Sequence, residues 1–116
     1  MVTAGGGAII INLTDTLILA GFISANGESS GSWWSGGSGG SVYITTDTFA
    51  GSGSIYTNGG DGCTYGGGIG QGGGGGRIAI YYDSSSFDEN NIKCKGGWRM
   101  SQSGEDGTIV INGEPR

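Results

Sequence analysis

The sequence predicts an all-β chain wound as a right-handed parallel β-helix, a β-solenoid of about three coils. Three observations predict it. Segments of the chain repeat in register, apolar residues alternate at period two, and 29 of the 116 residues are glycine. Ordinary proteins carry roughly 7% glycine, so a quarter of the chain signals a fold whose geometry consumes it. Without a strict three-residue period along the whole chain, that fold is not collagen. The length allows one domain at most.

The repeat gives the elements in order. The first unit reads Gly6-Gly7-Ala8-Ile9-Ile10-Ile11, then Thr14-Asp15-Thr16-Leu17, then Gly21-Phe22-Ile23-Ser24-Ala25-Asn26-Gly27. The second reads Gly39-Gly40-Ser41-Val42-Tyr43-Ile44, then Thr46-Asp47-Thr48-Phe49, then Gly53-Ser54-Ile55-Tyr56-Thr57-Asn58-Gly59. The third reads Gly75-Gly76-Arg77-Ile78-Ala79-Ile80, then Tyr82-Asp83-Ser84, Phe87, and Ile92-Lys93-Cys94-Lys95-Gly96. A fourth begins at Gly107-Thr108-Ile109-Val110-Ile111 and is cut short. Coil 1 therefore spans 6–38, coil 2 spans 39–74, coil 3 spans 75–106, and a partial coil 4 spans 107–112. Each complete coil is a core of about 22 residues followed by a glycine- and serine-rich loop.

Within the cores, Ile9 and Ile11, Val42 and Ile44, Ile78 and Ile80, and Ile109 and Ile111 alternate as strands do when one face is buried. A short strand cannot bury that face alone, but equivalent strands stacked from successive coils can. Ile9, Val42, Ile78 and Ile109 form one expected inward ladder, Ile23, Ile55 and Ile92 a second, and Leu17, Phe49 and Phe87 a third. Three ladders per turn give the three-faced cross-section. The glycine pairs before each first strand are expected at corners needing positive φ, and Asn26 and Asn58 at a shared left-handed corner. No helical period persists, and glycine at this density penalises a helix by up to about 1 kcal/mol per residue.

Gly-Gly-x-Val/Ile-x-Ile followed by x-Gly-x-Ile-x-x-Asn-Gly and a long glycine-rich loop resembles the glycine-rich parallel β-helix repeats of large surface proteins, of adhesin or autotransporter-passenger type. The resemblance covers nearly the whole chain, although the third unit carries Lys95 where the first two carry the corner asparagine. It implies an extracellular or cell-surface location and a structural or adhesive role, and it assigns no role to any residue. The chain then reads as a piece of a longer array. Both terminal coils would expose strand edges, and no polar cap is visible at Met1–Ala4 or Asn112–Arg116, so self-association through the open ends is expected.

Charge narrows the partners. The chain carries five Lys and Arg against ten Asp and Glu, net −5. That is no footprint for nucleic acid or for an anionic membrane surface. The longest apolar stretch, Leu17–Ile23, is interrupted by glycine and falls far short of a membrane span. With no histidine, neither a Ser-His-Asp nor a Cys-His site can form, and the acids are scattered, so no enzyme is expected. The weakest reading is a remnant of a polysaccharide-degrading β-helix. Glycine runs such as Gly72–Gly76 do not make a phosphate loop, because no helix follows and Arg77 opens a strand.

Four candidate groups remain. Trp33, Trp34, Tyr65 and Trp98 lie in the loops, which leave the solenoid after the same corner and crowd one side; exposed there, they would stack on the sugars of a polysaccharide or cell-surface glycan. Packing among themselves is the plainer role. Asp15, Asp47 and Asp83 recur at one position of three coils, where stacked carboxylates repel one another unless a cation such as Ca2+ lies between them. Local bonds to their own backbone are the simpler expectation, and no cofactor is required. Cys63 and Cys94 are placed to meet across adjacent coils as a disulfide, which suits an oxidising compartment. Thr14-Asp15-Thr16 and Thr46-Asp47-Thr48 also resemble the Thr-x-Thr rows of ice-binding solenoids.

Overall fold

The computed structural model describes residues 3–30, 35–62, 70–98 and 103–116. These residues form an all-β body with eleven short strands and a single 3-10 turn at Glu89–Asn91. The first circuit runs through β1 (Ala8–Asn12), β2 (Thr16–Ile18) and β3 (Phe22–Ser24). The second runs through β4 (Ser41–Thr45), β5 (Thr48–Ala50) and β6 (Ser54–Tyr56). The third runs through β7 (Arg77–Tyr81), β8 (Ser84–Ser85) and β9 (Ile92–Lys93), and β10 (Thr108–Ile111) and β11 (Glu114–Pro115) close the chain.

Equivalent strands pair parallel and in register. Sheet A has the order β1-β4-β7-β10-β11, sheet B β2-β5-β8 and sheet C β3-β6-β9. Ile9, Val42, Ile78 and Ile109 are register partners in sheet A, as are Ile11, Ile44, Ile80 and Ile111. Ile23, Ile55 and Ile92 align in sheet C. The alternating pattern therefore places one apolar residue of every pair inward, and stacking the circuits joins these residues into one core. Val42, Ile44, Phe49, Ile55, Ile78 and Ile80 are at most 1% exposed. The first-circuit members Ile9, Ile11, Leu17 and Ile23 are only partly buried against that core.

The third ladder departs from expectation. In sheet B the partner of Phe49 is Ser85, not Phe87. Phe87 nevertheless reaches the interior two residues later and stacks on Phe49, with ring centroids 4.3 Å apart and planes 16° apart. The Ser85 hydroxyl accepts the Phe87 N–H, which holds the chain in the detour that carries the ring inward. Burial of the aromatic surface outweighs strict register there.

The described parts of the glycine-rich segments are ordered by backbone hydrogen bonds. Residues 25–30, 57–62 and 94–98 lead away from sheet C, and 35–40, 70–76 and 103–107 lead back to sheet A. They lie side by side as a laminate of extended chains. The N–H groups of Gly36 and Gly39 bond to Gln71 and Gly74, the same segment one repeat on. Those of Gly37 and Gly40 bond to Glu28 and Ala25 on the outgoing segment of their own repeat. Gly73 and Gly76 repeat this with Gly60 and Thr57, and Gly104 and Gly107 with Gly97 and Cys94. The outgoing segments behave alike, with Gly27 and Ser30 bonding Asn58 and Asp61, and Gly59 and Gly62 bonding Lys95 and Trp98. Every third residue faces the same neighbour, the rotation of a three-residue polyproline-type helix, which has no internal hydrogen bonds and must find partners outside itself.

One consequence is an unbroken zigzag through the laminate. Gly104 donates to Gly97, Gly97 to Gly73, Gly73 to Gly60, Gly60 to Gly37, Gly37 to Glu28 and Glu28 to Ala4, at N···O distances of 2.6 to 2.9 Å. Gly37, Gly60, Gly73 and Gly97 are buried, and the atoms nearest to where a Cβ would stand on each are backbone atoms. A methyl group on Gly73 would overlap the Gly37 carbonyl, and one on Gly97 the Gly60 carbonyl. Glycine is required here by close approach and not by conformation. Among the described residues, positive φ occurs only at Gly51, Asn112 and Gly113, so neither the glycine pairs nor Asn26 and Asn58 sit at left-handed corners. The two asparagines instead accept a backbone N–H from the next repeat: Asn58 N–H bonds the Asn26 side-chain oxygen, and Lys95 N–H that of Asn58, both at 2.8 Å.

The strand of the partial fourth coil, β10, pairs parallel with β7, and a hairpin follows it. Asn112 and Gly113, with φ of 51° and 81°, reverse the chain, and β11 pairs antiparallel with β10. Positive φ at both central residues is the two-residue turn whose twist suits a hairpin. The Arg116 N–H bonds the Ile109 carbonyl, and its guanidinium bonds Glu89 at 2.7 Å, so the C-terminal edge of sheet A is covered after all. The whole body extends 51 × 23 × 21 Å.

Two stability outcomes follow. Gly73→Ala should lower the denaturation free energy by about 2 kcal/mol or more, the range for forcing atoms into a packed interior. Gly7→Ala, whose methyl group would meet nothing within 4 Å, should be neutral or slightly stabilising. Equal midpoints for the two variants in urea would mean that the laminate is not close-packed. Thr57 is fully buried and its hydroxyl has no hydrogen-bond partner. Thr57→Val should raise stability by about 1 kcal/mol, since it removes an unpaired polar group at nearly constant shape.

Candidate functional site

Of the loop aromatics, Trp98 is described. It ends the outgoing segment of the third repeat, 53% exposed, with its N–H on the Asp61 carboxylate at 2.8 Å and its carbonyl accepting from Gly62. Trp33, Trp34 and Tyr65, with which it was expected to form a row, lie outside the described residues. Cys94 is a buried, free thiol at the end of β9, and its expected partner Cys63 also lies outside the described residues. Burial of Cys94, and then the negative charge of Asp106, push the thiol's pKa up, so Cys94 is held as a neutral thiol, a poor nucleophile.

Asp15, Asp47 and Asp83 do stack at one position of the three circuits, on the exposed corner between sheets A and B. Their backbones carry the stacking. The Asp15 carbonyl accepts the N–H groups of Asp47 and Thr48, and the Asp47 carbonyl those of Asp83 and Ser84. The Asp15 carboxylate takes the Thr16 hydroxyl at 3.3 Å. Among the described residues, no three His, Cys, Asp or Glu side chains come together as a group able to hold a metal ion. The threonine rows do not face one way either. Thr46 is buried, with its hydroxyl on the Asp15 carbonyl at 2.7 Å, while Thr48 turns outward to Ser84 at 3.3 Å. The corner at Thr46-Asp47 between β4 and β5 is the reason, because Thr-x-Thr puts both hydroxyls on one face only while the strand stays straight.

Polar side chains of the laminate form ladders that tie one repeat to the next. Ser29 accepts the Asp61 N–H, Asp61 the Trp98 N–H, and Ser35 the Gln71 N–H. Asp106 closes this series. Its carboxylate accepts the Gly96 N–H at 2.9 Å and pairs with Lys95 at 3.4 Å. The Gly96 bond, aided by the Lys95 charge, holds the Asp106 carboxyl below the usual aspartate range.

Residues that sequence reasoning passed over stand on the sheet faces. Tyr43 and Tyr81 project from the outward side of sheet A, 46% and 37% exposed, with ring centroids 5.7 Å apart. Phe22 and Tyr56 stack on the outside of sheet C at 6.1 Å. Beside Tyr81, the corner carrying Asp47 and Asp83 is concave. A cleft of about 290 Å3 is bordered there by Thr45, Asp47, Tyr81, Tyr82, Asp83 and Asn112. The signal was available, since Tyr43 and Tyr81 sit at outward parity in strands whose inward parity is apolar, on neighbouring repeats.

No protein-family model, curated protein or solved structure matches this chain. Among the described residues no helix is long and apolar enough to cross a membrane.

The depressed Asp106 pKa gives a sign. A carboxyl whose folded pKa lies below its unfolded value stabilises the protein above the unfolded value, near 4, and loses that contribution as the pH falls through the folded value. Asp106→Asn should therefore flatten the acid limb of stability against pH below about 4. Unchanged curves for the variant and the parent would show that the Gly96 bond does not favour the carboxylate.

Proposed function

We propose that the chain is a right-handed parallel β-helix module serving as a stiff, non-enzymatic spacer in an extracellular or cell-surface filament or adhesin-like protein. The observation that carries this reading is the hydrogen-bond zigzag from Gly104 to Ala4. It extends the repeat of the three sheets into the described parts of the segments between them, which backbone hydrogen bonds tie to their neighbours. A device of this kind serves shape and not chemistry. The absence of histidine and the low count of charged side chains point the same way. Placement outside the cell rests on the resemblance to surface-protein repeats. Association of copies belongs to the same reading, supported by the partial exposure of Ile9, Ile11, Leu17 and Ile23 at the end opposite the hairpin.

Amide hydrogen exchange tests the stiffness. The Gly37, Gly60, Gly73 and Gly97 amides should exchange as slowly as those of Ile44 and Ile80, because both sets would open only with the whole stack. Exchange of the glycine amides at loop-like rates, with the sheets protected, would overturn the spacer reading.

A further inference from the structure

The outward face of sheet A ends in a feature that a spacer does not need. Tyr43 and Tyr81 lie diagonally on β4 and β7, since the register partners are Tyr43 with Ala79 and Thr45 with Tyr81. Their rings are tilted 40° and together make an exposed aromatic step. The buried aromatics of the chain show the contrast: Phe49 and Phe87 are stacked inside, where apolar area is removed from water. Tyr81 continues directly into the cleft of about 290 Å3 at the corner, whose border supplies the Thr45 hydroxyl, the Asp47 and Asp83 carboxylates and the Asn112 amide. The Asn112 side-chain oxygen already accepts the Tyr82 N–H at 2.8 Å, so its amino group is the part left to face a ligand.

We propose that the Tyr43–Tyr81 step and the adjoining corner cleft bind a neutral oligosaccharide. Sugar rings offer an apolar C–H face to an aromatic ring and hydroxyls at their rim, and this surface presents the complement in the same order. The alternatives fit less well. A wholly apolar ligand would desolvate Asp47 and Asp83 without pairing them, at a cost of kilocalories. An anionic glycan or a nucleic acid would meet two carboxylates on a chain of net charge −5. A bare cation would leave the rings without a role, and the carboxylates form no metal group. A few convergent polar groups beside an aromatic wall are the usual make-up of a small-molecule site. The corner position repeats in each circuit, so a ligand lying along the stack would meet Asp83, Asp47 and Asp15 in turn.

The test is an NMR titration of the whole chain with cellohexaose, mannohexaose and xylohexaose, with hexagalacturonate as the anionic comparison. At least one neutral hexasaccharide should give saturable shifts in the amides of Tyr43, Thr45, Tyr81 and Asp83. Tyr43→Ala and Tyr81→Ala should each weaken binding roughly tenfold or more, as expected for an aromatic anchor. Asp83→Lys should do the same at the cleft, and Trp98→Ala should change nothing. Because all four substituted side chains are exposed, a native circular dichroism spectrum is the check that each variant is folded. No response to any neutral hexasaccharide, tighter binding of hexagalacturonate, or loss of binding in Trp98→Ala alone would each overturn the proposal. Binding can fail while the glycine amides stay protected, so this outcome is separable from that of the spacer reading.

Discussion

Backbone hydrogen bonding between equivalent residues of successive repeats is the constraint on which everything else in this protein rests. In the three sheets it takes the parallel ladder form, and in the glycine laminate a three-residue form, but both use the same translation from one repeat to the next. A shared translation stacks paired positions of the described strands and glycine segments on their equivalents. Apolar positions then become columns of core, asparagines become a ladder of side-chain acceptors, and glycines become a column with no side chain at all.

The two halves reach close packing by opposite routes. Around the sheets, branched side chains fill the space between strands, and Ile44, Ile55, Ile78 and Ile80 lose all exposure to water. In the laminate the chains approach until a carbonyl occupies the place of a Cβ, and Gly37, Gly60, Gly73 and Gly97 are buried against backbone. Hydrophobic burial contributes little there. Cohesion comes from hydrogen bonds that are shielded from water on several sides and from dispersion between backbones. Glycine loses more conformational entropy on folding than any other residue, so such a laminate is stable only when anchored to a hydrophobic core that fixes both of its ends.

Much of this was legible in the sequence. The register of sheets A and C followed from aligning Ile9, Val42, Ile78 and Ile109, and so did the inward identity of their ladders. What failed was the treatment of glycine as a corner and loop residue. A three-residue spacing is present in Gly36-Gly37-Ser38-Gly39-Gly40 and Gly72-Gly73-Gly74-Gly75-Gly76, but each run covers under two turns. Over so few residues it looks like composition rather than period. The exposed pair Tyr43 and Tyr81 was passed over for a related reason. Loops attract attention as binding sites, while Tyr43 and Tyr81 are hidden within strands read for their buried faces.

The sequence by itself determined the repeat, the alternation and therefore which side chains meet in the core, because these depend only on local spacing and on the need to bury apolar surface. It also set the limits on chemistry through charge and the lack of histidine. Only the tertiary structure decided that the described glycine segments pack as ordered chains, that Phe87 joins the third ladder from two residues beyond the register partner Ser85, and that the chain turns back at Asn112-Gly113. It alone placed the corner carboxylates beside the Tyr43–Tyr81 step. Apart from the local turn at Asn112-Gly113, these features depend on contacts between repeats, where the neighbour across a repeat, not the local residue types, sets the lower free energy.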